Sequence, residues 1–461
     1  MKLWQKNINV KKEVDQFTVG KDRELDMQMA EFDVLGSIAH TTMLERIGLL
    51  TKEELISINK ELKNILSEIK AGKFAIEAEV EDVHSQVELL LTRRLGETGK
   101  KIHSGRSRND QALLDIKLFI RSEIQKTVKN VKSLFDQLIG LSDMHKDKLL
   151  PGYTHLQLAM PSSFGLWFAA YAESLVDDLA LLKAAYHVSN KNPLGSGAGY
   201  GSSFPLDRQL TTHLLGFDSM NYNVVYAQMS RGKTERYVSM ALSGIAATLS
   251  KMSMDVCLYM NQHFSFISFP DELTTGSSIM PHKKNPDVFE IIRAKCNKLQ
   301  SLPNEIAMMI INLPSGYHRD LQLTKESLFP AFQELNSCLE MTEYMLKHIQ
   351  VKENILNNEK YKYLFSVEAV NAEVLKGNAF RDAYKKVGAE IENGTFSPVT
   401  AINHTHEGSI GNLCNDKITE MMELVISAFK FEKMNKAIAD LINKEPESNK
   451  FNLMDGKELN V

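Results

Sequence analysis

The sequence predicts an all-α fold, and three observations carry that reading. Apolar residues recur at helical spacing over long stretches, start and stop signals bracket one of them, and period-two alternation rich in Val, Ile and Thr is nearly absent. The start and stop signals stand at residues 51–74. There Leu55, Ile58, Leu62, Ile65, Leu66 and Ile69 form one apolar face, Thr51 and Glu54 have capping-box spacing, and Gly72 supplies the left-handed residue that commonly follows a helix end. Residues 110–148 hold no proline and one glycine, while Leu113, Ile116, Ile120, Ile124, Val128, Val131, Phe135, Leu138 and Leu141 keep the same period. At about 1.5 Å per residue this is one helix on the order of 50 Å long, more than a compact domain needs for its own core.

Four further helices follow from the same periodicity, at residues 161–187, 231–262, 286–312 and 325–349. Val224, Val225 and Tyr226, and residues 264–269, are the brief strand candidates. A chain of 461 residues exceeds what one hydrophobic core usually serves. The centre, 109–350, therefore reads as a long-helix bundle between smaller helical N- and C-terminal domains at 1–108 and 351–461. Apolar residues spilling beyond one face of such long helices suggest that the bundle continues across subunits, although several layers within one chain could also cover them. The polar tail from Lys444 onward lacks helical patterning and reads as a loosely packed end.

Hydrophobic residues make up 43% and charged residues 24% of the chain, the balance of an ordinary globular protein. A net charge of -4 leaves no basic excess for neutralising phosphates, so nucleic acid is not the expected partner. Cys257, Cys296, Cys338 and Cys414 lie far apart, without the paired spacing of a zinc site or a disulfide framework, which fits a reducing compartment. No stretch has the roughly 20 apolar residues that span a bilayer, and the amino terminus has no apolar secretory core. The expectation is a cytoplasmic protein without a membrane partner.

Four polar, glycine-bearing connections hold nearly every residue with chemistry. HSGRSRNDQ, 103–111, places Arg106, Arg108, Asn109 and Asp110 at the start of the longest helix, where cations and free N–H groups suit a carboxylate; alone it also fits a capped helix start with solvated arginines. PGYTHLQLAMP, 151–161, sets Thr154 and His155 between prolines, although a lone loop histidine is as a rule structural. DELTTGSSIMPHKKNPD, 271–287, packs Thr, Gly, Ser and Lys into a lid-like loop, but it lacks P-loop spacing and a preceding strand, so a nucleoside triphosphate is discounted. PSGYHRDLQLTKE, 314–326, alternates Tyr317, Arg319, Asp320, Gln322 and Lys325, more variety than a connector needs. From the residues alone, this is a helical, oligomeric enzyme of a small carboxylate-bearing substrate, with no evident metal, flavin or nicotinamide site.

Together these segments resemble the fumarase and aspartase superfamily, whose signature G-S-S-x-M-P-x-K-x-N stands complete as Gly276, Ser277, Ser278, Met280, Pro281, Lys283 and Asn285. GRSRNDQ, PGYTHLQ, LGSGA at 194–198 and DLQxxKE at 320–326 resemble the branch that splits argininosuccinate into arginine and fumarate. The resemblance implies a three-domain helical subunit, a homotetramer whose active sites each draw on three subunits, and an anti elimination that needs no cofactor and no metal. It further implies Ser277 as catalytic base, His155 as second acid–base residue, Glu290 as the carboxylate holding that imidazole, and Lys283 and Asn285 as donors to an aci-carboxylate intermediate. Asn109, Thr154, Tyr317, Gln322 and Lys325 are implied as substrate contacts, with Arg108 and Arg236 for the succinyl carboxylates. Asp82 and His84 in EDVHSQ occupy the place of another active-site segment, although by themselves they read as helix-surface residues.

The chain also departs from the superfamily pattern. Trp4 is followed by Gln-Lys-Asn instead of a glycine-rich run, Gly20 with a short insertion stands where a serine is expected, Tyr237 replaces an aspartate, and His282 replaces a glutamine. None of these touches the acid–base pair. Competing readings are an adenylosuccinate-cleaving relative, which would need phosphate and purine contacts, and a non-catalytic crystallin-like structural relative. A scaffold for partner helices would explain the apolar faces but not the polar loops.

Overall fold

The computed structural model describes residues 11–398 and 400–444. Trp4 and the tail beyond Lys444 lie outside the described residues. The chain opens with α1 (Lys12–Val19), α2 (Asp22–Asp26), α3 (Ala30–Arg46), α4 (Lys52–Lys70), α5 (Val83–Leu95) and the short α6 (Glu97–Lys100). The expected capping box is formed: the Glu54 N–H donates to Thr51 Oγ1 at 3.2 Å, and the Thr51 N–H donates to Glu54 Oε2 at 3.0 Å. Gly72 takes φ 67° just past the end of α4. Leu55, Ile58, Leu62, Ile65 and Leu66 are buried, and all but Leu55 join an N-terminal core with α3 and α5.

The long helix is α7 (Arg108–Met144), whose 37 residues span roughly 55 Å. Its first half is covered on two sides. Leu114 and Leu118 join the N-terminal core, while Ile116, Phe119 and Ile120 join the larger bundle core, so α7 is a wall common to both.

An antiparallel hairpin follows, β1 (Leu149–Thr154) with β2 (Gln157–Ser163), which helical periodicity did not predict. Pro161, expected to open a helix, instead faces Pro151 across this hairpin. α8 (Phe164–Ser189) starts after Ser163, whose side chain accepts from the Leu166 N–H. A two-stranded ribbon tolerates prolines that a central strand would not.

β3 (Lys191–Asn192), α9 (Arg208–Leu214), β4 (Ser219–Met220) and α10 (Val224–Met229) connect α8 to α11 (Lys233–Met260). The strand expected at Val224 to Tyr226 is therefore a helix. Asn223 caps it by accepting from the Tyr226 N–H at 2.9 Å, and this local bond outweighs the β preference of two valines. Of the 264–269 candidate only β5 (Ile267–Ser268) is a strand.

The single helix expected over 286–312 is two, α12 (Asp287–Leu299) and α13 (Leu302–Ile310). Pro303 has no N–H to continue the first helix and sits in the opening turn of the second. α14 (Thr324–Leu346) and β6 (Gln350–Val351), paired with β5, complete the centre. α15 (Ser366–Leu375), α16 (Phe380–Glu392), α17 (Asn415–Ser427) and α18 (Phe431–Asn443) follow; Leu441 of α18 returns to the N-terminal core.

Side-chain pairs fix the direction of each bundle helix. Ser142 of α7 donates to the Gly165 carbonyl of α8 at 2.8 Å, so these two run antiparallel across the hairpin. Trp167 donates to Asp255 at 3.1 Å and Thr248 to Asp178 at 2.6 Å, which sets α11 antiparallel to α8. Ser250 bonds Asn297 at 2.7 Å and Arg293 meets Met254, so α12 runs back along α11. Phe119 stacks on Phe329 and Asn130 bonds Asn336, so α14 is parallel to α7. Helices α7, α11 and α14 thus begin at one end of the bundle, and α8 and α12 begin at the other. No helix among the described residues is long and apolar enough to cross a membrane.

Phe135 is fully buried in α7 at the centre of this core. Phe135→Ala should cost about 3–5 kcal/mol by lost transfer energy and a residual cavity, measured as a shift in the urea unfolding curve; a cost within 1 kcal/mol of zero would contradict the packing.

Candidate active site

The sequence-predicted residues divide between the two ends of the bundle. His155 stands at the turn of the β1–β2 hairpin, beyond the C-terminal end of α7. Thr154 pairs with Gln157, so His155 and Leu156 are a two-residue connection, with φ 54° and 58°. A type I′ turn of this kind favours Asn-Gly, because a side chain in left-handed backbone costs of order 1 kcal/mol or more. Here histidine and leucine occupy both positions, both exposed. Tyr153 anchors the arm by stacking on Phe264 at 5.4 Å, close after α11.

The loop from Asp271 to Pro286 lies at this same end, because α12 begins there. It is closed at its neck by Asn285, whose N–H donates to the Thr275 carbonyl at 2.8 Å and whose Nδ2 donates to the Gly276 carbonyl at 3.2 Å. A tighter turn inside it runs from the Lys283 N–H to the Met280 carbonyl, 3.0 Å. Ser277 Oγ accepts from the backbone N–H of Met280 at 3.2 Å and more weakly from that of Ile279 at 3.4 Å. Two amide dipoles aimed at one hydroxyl oxygen favour its anionic form. Lys283 is exposed on the loop and Glu290 is exposed in the first turn of α12.

The opposite end carries Arg108, Asn109, Arg236, Tyr317, Gln322 and Lys325, where α7, α11 and α14 begin. Ser107 Oγ accepts from the Asn109 N–H at 3.2 Å, and the Ser107 N–H donates to Asp110 Oδ1 at 2.9 Å, so Asn109 sits in a capped first turn. Asp110 Oδ2 also accepts from the N–H groups of Gly195 and Gly197, at 2.9 and 2.8 Å. That one carboxylate ties the LGSGA loop to the helix start. Burial pushes its carboxyl up to about 6, against the pull of these N–H donors and of Arg106.

Arg108 pairs with Glu81 at 3.2 Å and with Asp82, so within one chain two carboxylates already answer its charge. Asp82 itself caps α5 by accepting from the Ser85 N–H at 2.8 Å. Arg319 bonds Glu81 at 3.3 Å and the Thr18 carbonyl at 2.9 Å, and Gln322 Nε2 donates to the carbonyls of Thr18 and Val19 at 3.0 and 3.3 Å. Lys325 Nζ lies 2.7 Å from both Asp22 and Asp26. Tyr317 packs under the Arg231 guanidinium, 5.5 Å from its ring centre. Arg236 is exposed on α11.

Asp82 and His84, which by themselves read as helix-surface residues, are buried. His84 Nδ1 lies 2.8 Å from Asp33 and 3.4 Å from Asp115. Burial opposes a charge on this ring, but the Asp33 bond and the charges of Asp33, Asp115 and Asp26 outweigh it and raise its pKa. Among the described residues Asp33, His84 and Asp115 are the set with metal-ligand spacing. His84 Nδ1 and Gln111, the latter donating at 2.6 Å, both engage Asp33 Oδ1, whereas Asp33 Oδ2 and both Asp115 oxygens are buried without a hydrogen bond.

No hydrogen bond within the chain joins His155 to Glu290 or to Ser277. With α7 roughly 55 Å long, the hairpin at its C-terminal end and Asn109 at its start belong to opposite ends of one subunit. Sequence reasoning missed Asp22, Asp26 and Glu81. The signal for the first two was present, since aspartates four apart share one face of a helical turn.

Three comparisons bear on what such a chain is. The model of the family described as Lyase matches residues 8–300. The chain is 65% identical to an argininosuccinate lyase of Parabacteroides distasonis over 442 residues, covering 96% of this chain and 99% of that one. It is 39% identical to an argininosuccinate lyase of Thermotoga neapolitana, covering 84% and 97%. Among solved structures, an EDDS lyase variant with bound fumarate superposes with a TM-score of 0.72 at 19% identity, covering 94% of this chain and 96% of that one. A class II fumarase from Schistosoma mansoni gives 0.67 at 16% identity, covering 91% and 97%. These likenesses to solved structures show the fold.

The raised pKa of Asp110 makes a pH prediction. Its folded value, about 6, lies above the ordinary 3.8, so its contribution favours the fold fully below the unfolded value and is lost as pH rises through about 6. Asp110→Asn removes this dependence. From pH 5 to pH 7.5 the stability of the variant relative to wild type should rise by about 1 kcal/mol or more in urea unfolding; a gap that is flat or shrinks with pH would count against a strained, buried carboxylate.

Proposed function

Because the chain belongs to the argininosuccinate lyase family, we propose that it eliminates fumarate from argininosuccinate, releasing arginine, with Ser277 as the base. The observation that carries this reading is the Ser277 loop. Its hydroxyl accepts two backbone N–H bonds inside the complete GSSIMPHKKN run, and such donors lower the cost of an alkoxide.

The proton to be removed sits on the carbon next to a succinyl carboxylate, a weak carbon acid. Its loss places a second negative charge on that carboxylate, so fixed cations and N–H donors must meet the charge as it develops. Lys283 and Asn285, on the same loop as Ser277, take this role. The C–N bond to the guanidino group then breaks, leaving fumarate and arginine. His155, with Glu290 as its carboxylate, is the second acid–base group. Asn109, Thr154, Tyr317, Gln322 and Lys325 hold the substrate. Arg236, exposed on α11, is the freer of the two arginine candidates, since Glu81 and Asp82 already meet Arg108. No step calls for a cofactor or a metal.

Reactive groups with Thr154 on one end of a long bundle and Asn109, Tyr317, Gln322 and Lys325 on the other cannot meet inside one subunit. The assembly that reconciles them is a homotetramer in the cytoplasm, with its bundles packed so that one copy's His155 hairpin and Ser277 loop approach other copies' Asn109 ends. The strained, exposed turn at His155 and Leu156 fits an arm completed by a neighbour.

The test follows fumarate absorbance in the ultraviolet, with adenylosuccinate, malate and aspartate as comparison substrates. Fumarate should come from argininosuccinate alone, and Ser277→Ala and His155→Gln should each lower kcat by about 10²- to 10⁴-fold without loss of assembly. Turnover of adenylosuccinate alone would keep the elimination and overturn the substrate. Silence with every substrate, in a correctly assembled protein, would leave a structural relative.

A further inference from the structure

The His155 hairpin is an exposed arm with a well-built root. Residues 154–158 are all exposed, so packing at the tip cannot fix the direction of His155. Packing resumes one residue before the tip, where Tyr153 lies half-buried against the bundle core. A bulge stands directly behind it: Pro151 faces Pro161 and Tyr153 faces Leu158, so Gly152 alone opposes Ala159 and Met160. A Cβ on Gly152 would come 2.8 Å from the Met160 carbonyl oxygen, and glycine is what lets the two strands close there. Bulges of this kind re-aim the strand that carries them, and the side chain that follows this one is Tyr153.

Tyr153 docks onto a fixed aromatic column. Its ring stacks on Phe264 with centres 5.4 Å apart, and Phe264 stacks on Phe266 at 5.1 Å with the planes 3° from parallel. Phe266 meets Tyr259 at 5.5 Å and Tyr259 meets Trp167 at 5.1 Å, which carries the column into the α8–α11 core. Phe264 and Phe266 share one stack across Ser265, whose φ of 48° is backbone that a serine resists. Asn261 holds that turn by accepting from the N–H groups of His263 and Phe264, both at 2.9 Å, and the Lys352 N–H donates to the Phe266 carbonyl at 2.8 Å. On its other side the Tyr153 hydroxyl is bonded to Tyr361, which is 3% exposed in the turn at Glu359–Phe365. Burial first, and then Tyr361, push the Tyr153 phenol up to about 12. Near neutral pH it keeps its proton and is not itself an acid–base group.

We propose that Tyr153 is a positioning residue for the elimination: gripped by Phe264 and by Tyr361, it fixes the direction in which the arm presents His155 to the substrate. The inference rests on the reading of His155 as the second acid–base group. His155 sits in left-handed backbone, φ 54°, which leaves it few alternatives, so fixing Tyr153 two residues earlier fixes the origin of the imidazole. Misplacing a reacting group by about 1 Å costs on the order of 10²-fold in rate. Tyr153 therefore acts on kcat, and it acts through His155.

The test is a double-variant cycle on the assembled enzyme, following fumarate released from argininosuccinate. Tyr153→Leu, which loses both contacts, should lower kcat about 10- to 100-fold in the wild-type background. In a His155→Gln background the same change should cost less than about twofold, because no imidazole is left to misplace. Tyr153→Phe keeps the stack and should recover most of the loss. Phe264→Leu removes the grip from outside the hairpin and should give the same pattern in both backgrounds, so the cycle can be read even where Tyr153→Leu does not assemble. Losses that multiply across the two backgrounds, or Tyr153→Leu and Phe264→Leu enzymes within twofold of wild type, would overturn the positioning role and leave His155 in its own. A His155→Gln enzyme with the wild-type kcat would overturn both.

Discussion

A continuous 37-residue helix holds its two ends roughly 55 Å apart, and the arrangement of this protein follows from that separation. α7 carries Asn109 and the capped GRSRNDQ turn at its start and delivers the chain to the His155 hairpin at its close. α11 and α14 run parallel to it and repeat the division. Their starts bring Arg236, Gln322 and Lys325 to the Asn109 end, and the return helix α12 brings Ser277, Lys283 and Glu290 to the hairpin end. One subunit therefore carries the two groups of proposed site residues at opposite ends of its bundle.

The halves differ in their electrostatics, as their proposed tasks require. At the Asn109 end almost every charge is already answered: Arg108 by Glu81 and Asp82, Lys325 by Asp22 and Asp26, His84 by Asp33 and Asp115. Breaking the buried pairs among these is costly, because it leaves a charge without its partner. The Ser277 end instead offers exposed groups on a loop held by a few backbone bonds, with Lys283 and Glu290 free to be engaged from outside. The backbone N–H groups of Ile279 and Met280 around Ser277 stand in a loop otherwise open to solvent.

Much of this was legible in the sequence because it rests on local rules. The periodicity of Leu113 to Leu141 marked α7, the Thr51–Glu54 spacing marked the cap of α4, and the polar loops marked the residues that now line the two ends. What escaped was set by longer-range or competing local forces. The β1–β2 hairpin hides inside a run bounded by two prolines with only a few alternating residues, and each strand is held by pairing with the other. Val224 and Val225 look like a strand until Asn223 caps a helix there by accepting from the Tyr226 N–H. His84 looked like a surface residue because its two carboxylates lie far away in sequence, at Asp33 and Asp115, and Asp22 was invisible as a partner of Lys325 for the same reason.

The most direct test mixes two inactive variants with lesions at opposite ends, Ser277→Ala and Asn109→Ala, dissociated and reassembled together at equal concentration. If each site takes Ser277 and Asn109 from different subunits, random reassembly leaves both residues intact in about a quarter of sites, and argininosuccinate cleavage should return to roughly that fraction of wild type. If a mixture that demonstrably exchanges subunits stays at the residual rate of its parents, the two residues act within one chain, and a site divided along α7 is wrong.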